Sequence, residues 1–331
     1  MIALTYDDIQ LVPEYSEIES RQTISLRSKL TNNYWLDVPI IGAPMPTVCG
    51  YDMAYELFIH GAIGCIHRFM SIEEQVNIVS RLSAINQDYP IMAAVGANGD
   101  YINRAKLLHS AGASIILIDV AHGHHKNVKM AIADIKKATN CDVIAGNIAT
   151  VQAAKDLESW GCDALRVGIG GGSLCTTRIK TGFGIPNVTC IEQIAQSVKI
   201  PIIADGGIRY TGDMAKALAL GASSIMVGSM IAGTDESPGM LINKATGLYK
   251  KYSGAASFET KLEHGQAVRN IEGESTIIPY KGKLKVIMNE ITDGLKSALS
   301  YAGANCIADF KPKYVQVTNA GINEAKPHLI N

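Results

Sequence analysis

Cys162-Asp-Ala-Leu-Arg-Val167 runs directly into Gly168-Ile-Gly-Gly-Gly-Ser-Leu-Cys175-Thr-Thr-Arg178. The first half is a short apolar run of strand character. The second is a glycine loop that delivers a cysteine, two hydroxyls and an arginine to one place. Glycines free a backbone to fold around a ligand or ion. A thiol acts as a nucleophile only where it is exposed and its surroundings favour the thiolate. Alone, Cys175 reads as a small buried apolar residue, as most lone cysteines are. On a loop directly after a strand it reads differently, because α/β barrels gather catalytic groups at the C-terminal strand ends. The loop lacks the Gly-Lys-Ser/Thr ending of a P-loop. Gly168-x-Gly170-x-Gly172 also lacks the dinucleotide-binding spacing, so the motif does not support a Rossmann domain.

Working outward, seven more short apolar runs share this character: Pro39–Ala43, Ala62–Ile66, Ile91–Val95, Ser114–Asp119, Asp142–Ala145, Pro201–Ala204 and Ser224–Val227. With Ala164–Val167 they make eight strand candidates, mostly β-branched or small, as strands buried on both faces should be. Helical patterns lie between them. Ile72–Leu82 has apolar residues at helical spacing with early acids. Ala153–Trp160 stops at Gly161 and Asp213–Leu220 stops at Gly221, and glycine just past a helix is a stop signal. Leu284–Ser300 is the last helix candidate. Eight β/α alternations predict an α/β fold, a (β/α)8 TIM barrel, with a doubly wound open sheet as the alternative. Residues 1–331 read as one catalytic domain. A polar insertion at about 250–282 follows the eighth strand and reads as a mobile flap over the site or a solvated loop. The tail carrying Pro312 and Pro327 reads as loose.

The chain has 331 residues, 47% of them apolar, and a net charge of −1. That suffices for a large core and provides no basic patch, so nucleic acid is not an expected partner. There is no apolar run long enough to span a membrane and no signal-peptide pattern. Seven scattered cysteines without a Cys-x-x-Cys pair suit a reducing cytoplasm rather than a disulfide framework or structural zinc.

In a barrel the C-terminal strand ends present Met45, Arg68, Asp119, Asn147, Cys175, Asp205 and Gly228 around one opening. Asp205-Gly206-Gly207 suits a ribose diol taken by both carboxylate oxygens, with backbone close by. Gly228-Ser229 lies where barrel enzymes hold phosphate on backbone N–H groups. Together these favour a nucleoside monophosphate, although each residue alone suits an ordinary turn. His122-Gly-His124-His125 has no nearby carboxylate or cysteine cluster to complete a metal site and reads as a solvated loop.

With these residues in view, the chain resembles the IMP dehydrogenase/GMP reductase family over nearly its whole length. Leu4-Thr-Tyr-Asp-Asp8, Ala43-Pro-Met45, Ile66-His-Arg68, Gly146-Asn147, the Gly168–Arg178 loop, Asp205-Gly-Gly207, Gly228-Ser-Met230 and Pro279-Tyr-Lys-Gly282 carry the likeness. The Cys175 loop is the most specific of them. Two departures stand out: Gly171 where the family loop usually has proline, and Pro46 where an acid or amide is usual. The resemblance implies a TIM barrel assembling as a homotetramer, with chemistry through a covalent thioimidate at purine C2. It implies Cys175, Thr177 and Glu272 as catalytic. Substrate would be met by Met45, Ser173, Asp205, Gly206, Gly207, Gly228 and Ser229. Gly254, Ala255 and Ala256 would cover the base with Arg269, Asn270, Ile271 and Gly273. Arg68, Asp119, Val120, Ala121, Ile169 and Gly170 would meet the nicotinamide dinucleotide. Carbonyls of Gly170, Gly172 and Cys175 would hold potassium, as the family loop does.

Within the family, dehydrogenases usually carry CBS modules after the second strand, and only about 24 residues separate Ile66 from Ile91 here. They also place an Arg-Tyr pair on the flap to activate water, whereas Arg269 here precedes Asn270. Asp119-Val-Ala-His-Gly123 and Arg269-Asn-Ile-Glu-Gly273 look like reductase segments. Gly233-Thr-Asp-Glu-Ser-Pro-Gly239 and Asn319-Ala-Gly-Ile322 look closer to dehydrogenases. The balance points to GMP reductase, with NADPH-dependent reductive deamination of GMP to IMP and ammonia. A CBS-free IMP dehydrogenase using NAD is the alternative, and a silent purine nucleotide-binding protein the third reading.

Overall fold

The computed structural model describes residues 2–85, 89–263 and 271–325. Eight strands close a parallel barrel: β1 (Ile40–Gly42), β2 (Ile63–Ile66), β3 (Met92–Val95), β4 (Ile115–Asp119), β5 (Asp142–Ile148), β6 (Ala164–Val167), β7 (Ile202–Asp205) and β8 (Ser224–Val227). Each pairs with its sequence neighbours, and β8 returns to β1 with Ile225 opposite Ile40. All eight expected runs are strands, and closure excludes the open sheet. Helices follow in turn: α1 (Tyr51–Ile59), α2 (Ile72–Ser83), α3 (Tyr101–Ser110), α4 (Lys126–Ala138), α5 (Val151–Ser159), α6 (Asn187–Ala195), α7 (Thr211–Ala219) and α8 (Leu284–Tyr301).

The two-residue period of a strand sorts the core. Ile41, Ile63, Met92, Leu117, Ile144 and Ile203 form one cluster that fills the barrel. Their neighbours Ile40, Ala93, Ile116, Val143 and Ile202 join the larger cluster beneath the helices. Local signals fix the helix ends. Ser71 and Glu74 make a reciprocal capping box at α2. Gly161 and Gly221, just past α5 and α7, adopt the positive φ that favours glycine.

The N-terminal segment stoppers the barrel. Ser28–Lys29 pairs with Trp35–Leu36, and Leu30 and Leu36 join the barrel-filling cluster. Thr31 donates to Asp142 at 2.5 Å and Asn33 to the same carboxylate at 2.8 Å, at the start of β5. The tail differs from expectation. Tyr314–Gln316 pairs antiparallel with Ile9–Leu11, and Val12 N–H donates to the Lys313 carbonyl at 2.8 Å. Pro312 ends nothing beyond its own missing donor. The tail's pairing partner lies some 300 residues away in sequence, beyond any local signal.

At the opposite face, β9 (Ile242–Lys244), β10 (Gly247–Ser253) and β11 (Ser275–Pro279) make an antiparallel sheet. With the short helix Phe258–Glu263 they form the flap, which begins at Ile242 rather than near 250. Among the described residues no helix is long and apolar enough to cross a membrane.

Candidate active site

The C-terminal strand ends and the flap enclose a cavity of about 590 Å³. That lies within the range of small-molecule sites. Met45, Arg68, residues 119–121, Asn147, Cys175 and Thr177 line it, as do residues 168–173, 205–207, 228–229, 254–256 and 272–273. Nearly every expected site residue is therefore brought to one place. Ile271 is described but does not line the cavity. Arg269 and Asn270 lie outside the described residues.

Cys175 is half-buried. Its thiol lies 3.1 Å from the Thr177 hydroxyl, which donates to Glu272 Oε2 at 2.7 Å. Cys175 and Thr177 come from the barrel, and Glu272 comes from the flap. Backbone pairing holds the two together. Thr176 N–H donates to the Glu272 carbonyl at 3.0 Å, Glu274 N–H donates to the Leu174 carbonyl at 3.0 Å, and Cys175 bridges Gly273. Glu272 N–H reaches the Ala256 carbonyl at 3.2 Å. The arrangement sets a nucleophile, a hydroxyl and a carboxylate in one line, the form of a proton relay. The Gly172 carbonyl accepts the Cys175 N–H at 3.0 Å, and Arg178 donates to the Ile169 and Ile185 carbonyls. The loop is thus braced at both ends.

Charges alternate across the floor. Arg166 on β6 donates from Nε to Asp205 Oδ2 at 2.9 Å and from its guanidinium terminus to Asp119 Oδ1 at 2.6 Å. Asn147 donates to Asp205 Oδ2 at 2.7 Å and to the Gly168 carbonyl at 2.7 Å. Oδ2 of Asp205 thus accepts from both Arg166 and Asn147, which fixes this carboxylate on the cavity floor. The turn behind it is held by Asn187, whose amide donates to the Asp205 and Gly206 carbonyls. Arg68 Nε forms an ion pair with Asp119 Oδ2 at 3.6 Å and has no hydrogen-bond partner among the described residues. Such a guanidinium on the cavity wall suits the phosphates or hydroxyls of a dinucleotide.

On the far wall the Tyr252 hydroxyl lies 3.0 Å from Ser173 Oγ. Burial raises the Tyr252 pKa, so the phenol keeps its proton and can donate. Lys281 donates to the Ser229 and Met230 carbonyls at 2.5 and 3.1 Å. Lys250 donates to those of Thr234, Asp235 and Ser237. Burial pulls both ammonium groups below the ordinary lysine range. These two cations pin the segment after β8 to the flap root.

Other groups have structural partners. His124 lies 2.8 Å from Asp156, and His125 Nδ1 accepts the Asn127 N–H at the start of α4. No group of three metal-binding side chains occurs among the described residues. Arg209 is tied to Asp7 and Asp213. The seven cysteines are free. Burial pushes the Cys49 and Cys190 thiols up to about 12.

A family model described as the IMP dehydrogenase / GMP reductase domain matches residues 3–328. The chain belongs to that family. Within the family it is 38% identical over 384 residues to an inosine-5′-monophosphate dehydrogenase of Cryptosporidium parvum, covering 98% of this chain and 94% of that one. It is 36% identical over 319 residues to a GMP reductase of Lactococcus lactis subsp. cremoris, covering 95% of each. Among solved structures, a cysteine-to-alanine GMP reductase from Trypanosoma brucei in complex with guanosine 5′-monophosphate superposes with a TM-score of 0.93. Its identity is 26%, over 99% of this chain and 98% of that one. The family is one of oxidoreductases that act on purine nucleotides with a nicotinamide cofactor, and the cavity's donors fit such a pair of ligands.

Three site residues escape sequence reasoning: Arg166, Asn187 and Tyr252. Arg166 did leave a signal, a charge inside a strand otherwise apolar and buried on both faces. Asn187 and Tyr252 left none, because their partners come from other elements.

Proposed function

We propose that the protein is an NADPH-dependent GMP reductase, converting GMP to IMP and ammonia. The observation that carries this reading is the Cys175–Thr177–Glu272 line, at 3.1 and 2.7 Å, facing a nucleotide-sized cavity. The Cys175 thiolate would form a bond to C2 of GMP, dividing one hard step into two. The C2 amine would then leave as ammonia, taking a proton along Thr177 and Glu272, and a thioimidate would remain. NADPH, when bound, supplies the hydride that C2 accepts. The C–S bond would then break, releasing IMP and restoring the thiolate. With one proton, GMP and NADPH thus balance IMP, ammonia and NADP⁺.

Ser173, Tyr252 and the Gly228–Ser229 backbone would take the phosphate, and Asp205 Oδ1 the ribose. Residues 254–256 and the segment 269–273 would cover the base. Arg68 and residues 119–121 would meet the dinucleotide with Ile169 and Gly170. The proposal includes a homotetramer in the cytoplasm, and potassium held by the carbonyls of Gly170, Gly172 and Cys175. Omitting potassium tests that part directly.

The flap sequence supports the reductase branch. Its Arg269 is followed by asparagine rather than tyrosine, so the usual water-activating pair is missing. Hydrolysis of the thioimidate would be a wasteful reaction in a reductase. The dehydrogenase reading is supported by the 38% identity to a Cryptosporidium enzyme of that name and by the segments Gly233–Gly239 and Asn319–Ile322, which look closer to dehydrogenases. Two cuvettes separate the readings. Oxidation of NADPH with GMP, with ammonia and IMP formed, is expected. Reduction of NAD⁺ with IMP alone would replace the proposal by the dehydrogenase.

A further inference from the structure

Arg166 carries a charge into the barrel. Ala164, two residues earlier on β6, belongs to the barrel-filling cluster, and residues two apart on a strand share a face. Arg166 is only 9% exposed. Its neighbour on β5 makes the room: a Cβ on Gly146 would lie 2.6 Å from Arg166 Cβ and 2.5 Å from its carbonyl oxygen. Burial of such a cation is costly unless it is paired. Burial lowers its pKa, but Asp205 and Asp119 beside it more than reverse this, so the guanidinium stays charged. Its two contacts leave from different nitrogens to different carboxylates, at 2.9 Å and 2.6 Å.

We infer that Arg166 is a positioning residue shared by both halves of the site. One guanidinium fixes Asp205, which meets the substrate ribose, and Asp119, which meets the dinucleotide. The assignment of each carboxylate to its ligand rests on the proposed function. Holding Asp205 Oδ2 turns Oδ1 toward the ribose, and holding Asp119 Oδ1 does the same for its Oδ2 beside Arg68. A planar fork can bridge two carboxylates, and a lysine ammonium, a single point charge, cannot hold both in the same geometry. Without Arg166 the half-buried Asp205 and Asp119 would keep Asn147 and Arg68 beside them but lose the group that ties them together, and each would rotate more freely.

The test is binding, measured by calorimetry with GMP and, separately, with NADP⁺ on intact protein. Asp205→Asn is expected to weaken GMP alone, and Asp119→Asn to weaken NADP⁺ alone. Arg166→Met is expected to weaken both, each by about tenfold, and Arg166→Lys both by less. The discriminating readout is the pair of double variants. On the Asp205→Asn background, Arg166→Met should cost GMP little more yet still cost NADP⁺ its tenfold. On the Asp119→Asn background the reverse should hold. A general structural lesion would weaken both ligands on either background. Loss of only one affinity in Arg166→Met, or full additivity in both double variants, overturns the inference while the functional reading stands. Wild-type protein that binds neither GMP nor NADP⁺ overturns both.

Discussion

At Cys175 the proposal is most exposed to test. Cys175→Ala should bind GMP much as the parent does and turn over nothing, whereas retained NADPH oxidation would remove the covalent step. Glu272→Gln keeps the size and a hydrogen bond but loses the group that can carry a proton. It should lower kcat by about 100-fold with little change in KM, as steady-state kinetics would show. Thiol chemistry offers a separate check. Burial raises the Cys49 and Cys190 thiols to about 12, so at pH 8 they hold their protons and react slowly. Iodoacetamide should mark the half-buried Cys175 and Cys306, read by mass spectrometry, and GMP should shield only Cys175. Much of this residue scale is legible in the chain. Cys175, Asp205 and Gly228 each follow an apolar run, and that position alone carries them to the mouth. Arg166 and Asn187 are not legible in the same way, since their roles depend on partners 39 and 18 residues away. Pairing across strands leaves no local trace.

The elements divide along the same line. Strands β1 to β8 and helices such as α2 are written in local patterns: apolar runs for one, capping residues and helical spacing for the other. The flap is not. Its largely polar strands pair among themselves, and Gly273 between them and the helix bridges the Cys175 loop, so it has no hydrophobic signature, and its sheet begins earlier than composition suggests. Its root depends on two ammonium groups, that of buried Lys250 and that of exposed Lys281. Lys281→Met should free the Ser229 and Met230 carbonyls and loosen the candidate phosphate-binding segment. Loss of these charge-assisted bonds predicts a rise in the KM for GMP of about tenfold. Affinity for guanosine, which has no phosphate, should change far less, and an equal loss for both would place the effect elsewhere.

Over the whole molecule, the two faces of the barrel carry different duties. The N-terminal face is closed by Leu30 and Leu36 and by the Thr31 and Asn33 bonds to Asp142. Asp142→Ala removes one buried and one part-buried hydrogen bond far from the cavity. It should cost about 1–3 kcal/mol and a few degrees of melting temperature, with kcat unchanged. A fall in kcat without a fall in melting temperature would show that this end is not merely structural. The chain's two ends also meet, through the Ile9–Leu11 and Tyr314–Gln316 ladder. That closure was unreadable in sequence because nothing local marks a partner at the other end of the chain.

The Cys175–Gly273 bridge makes the site an interlock. In the proposed reaction the thiol would belong to the barrel and the carboxylate to the lid, so the relay would be assembled only while the lid is seated. An open site would then hold a thiol with no route for a proton to the departing amine. Bond cleavage at the base and exclusion of bulk water would then be one event, enforced by the two backbone hydrogen bonds that join Thr176 to Glu272 and Glu274 to Leu174.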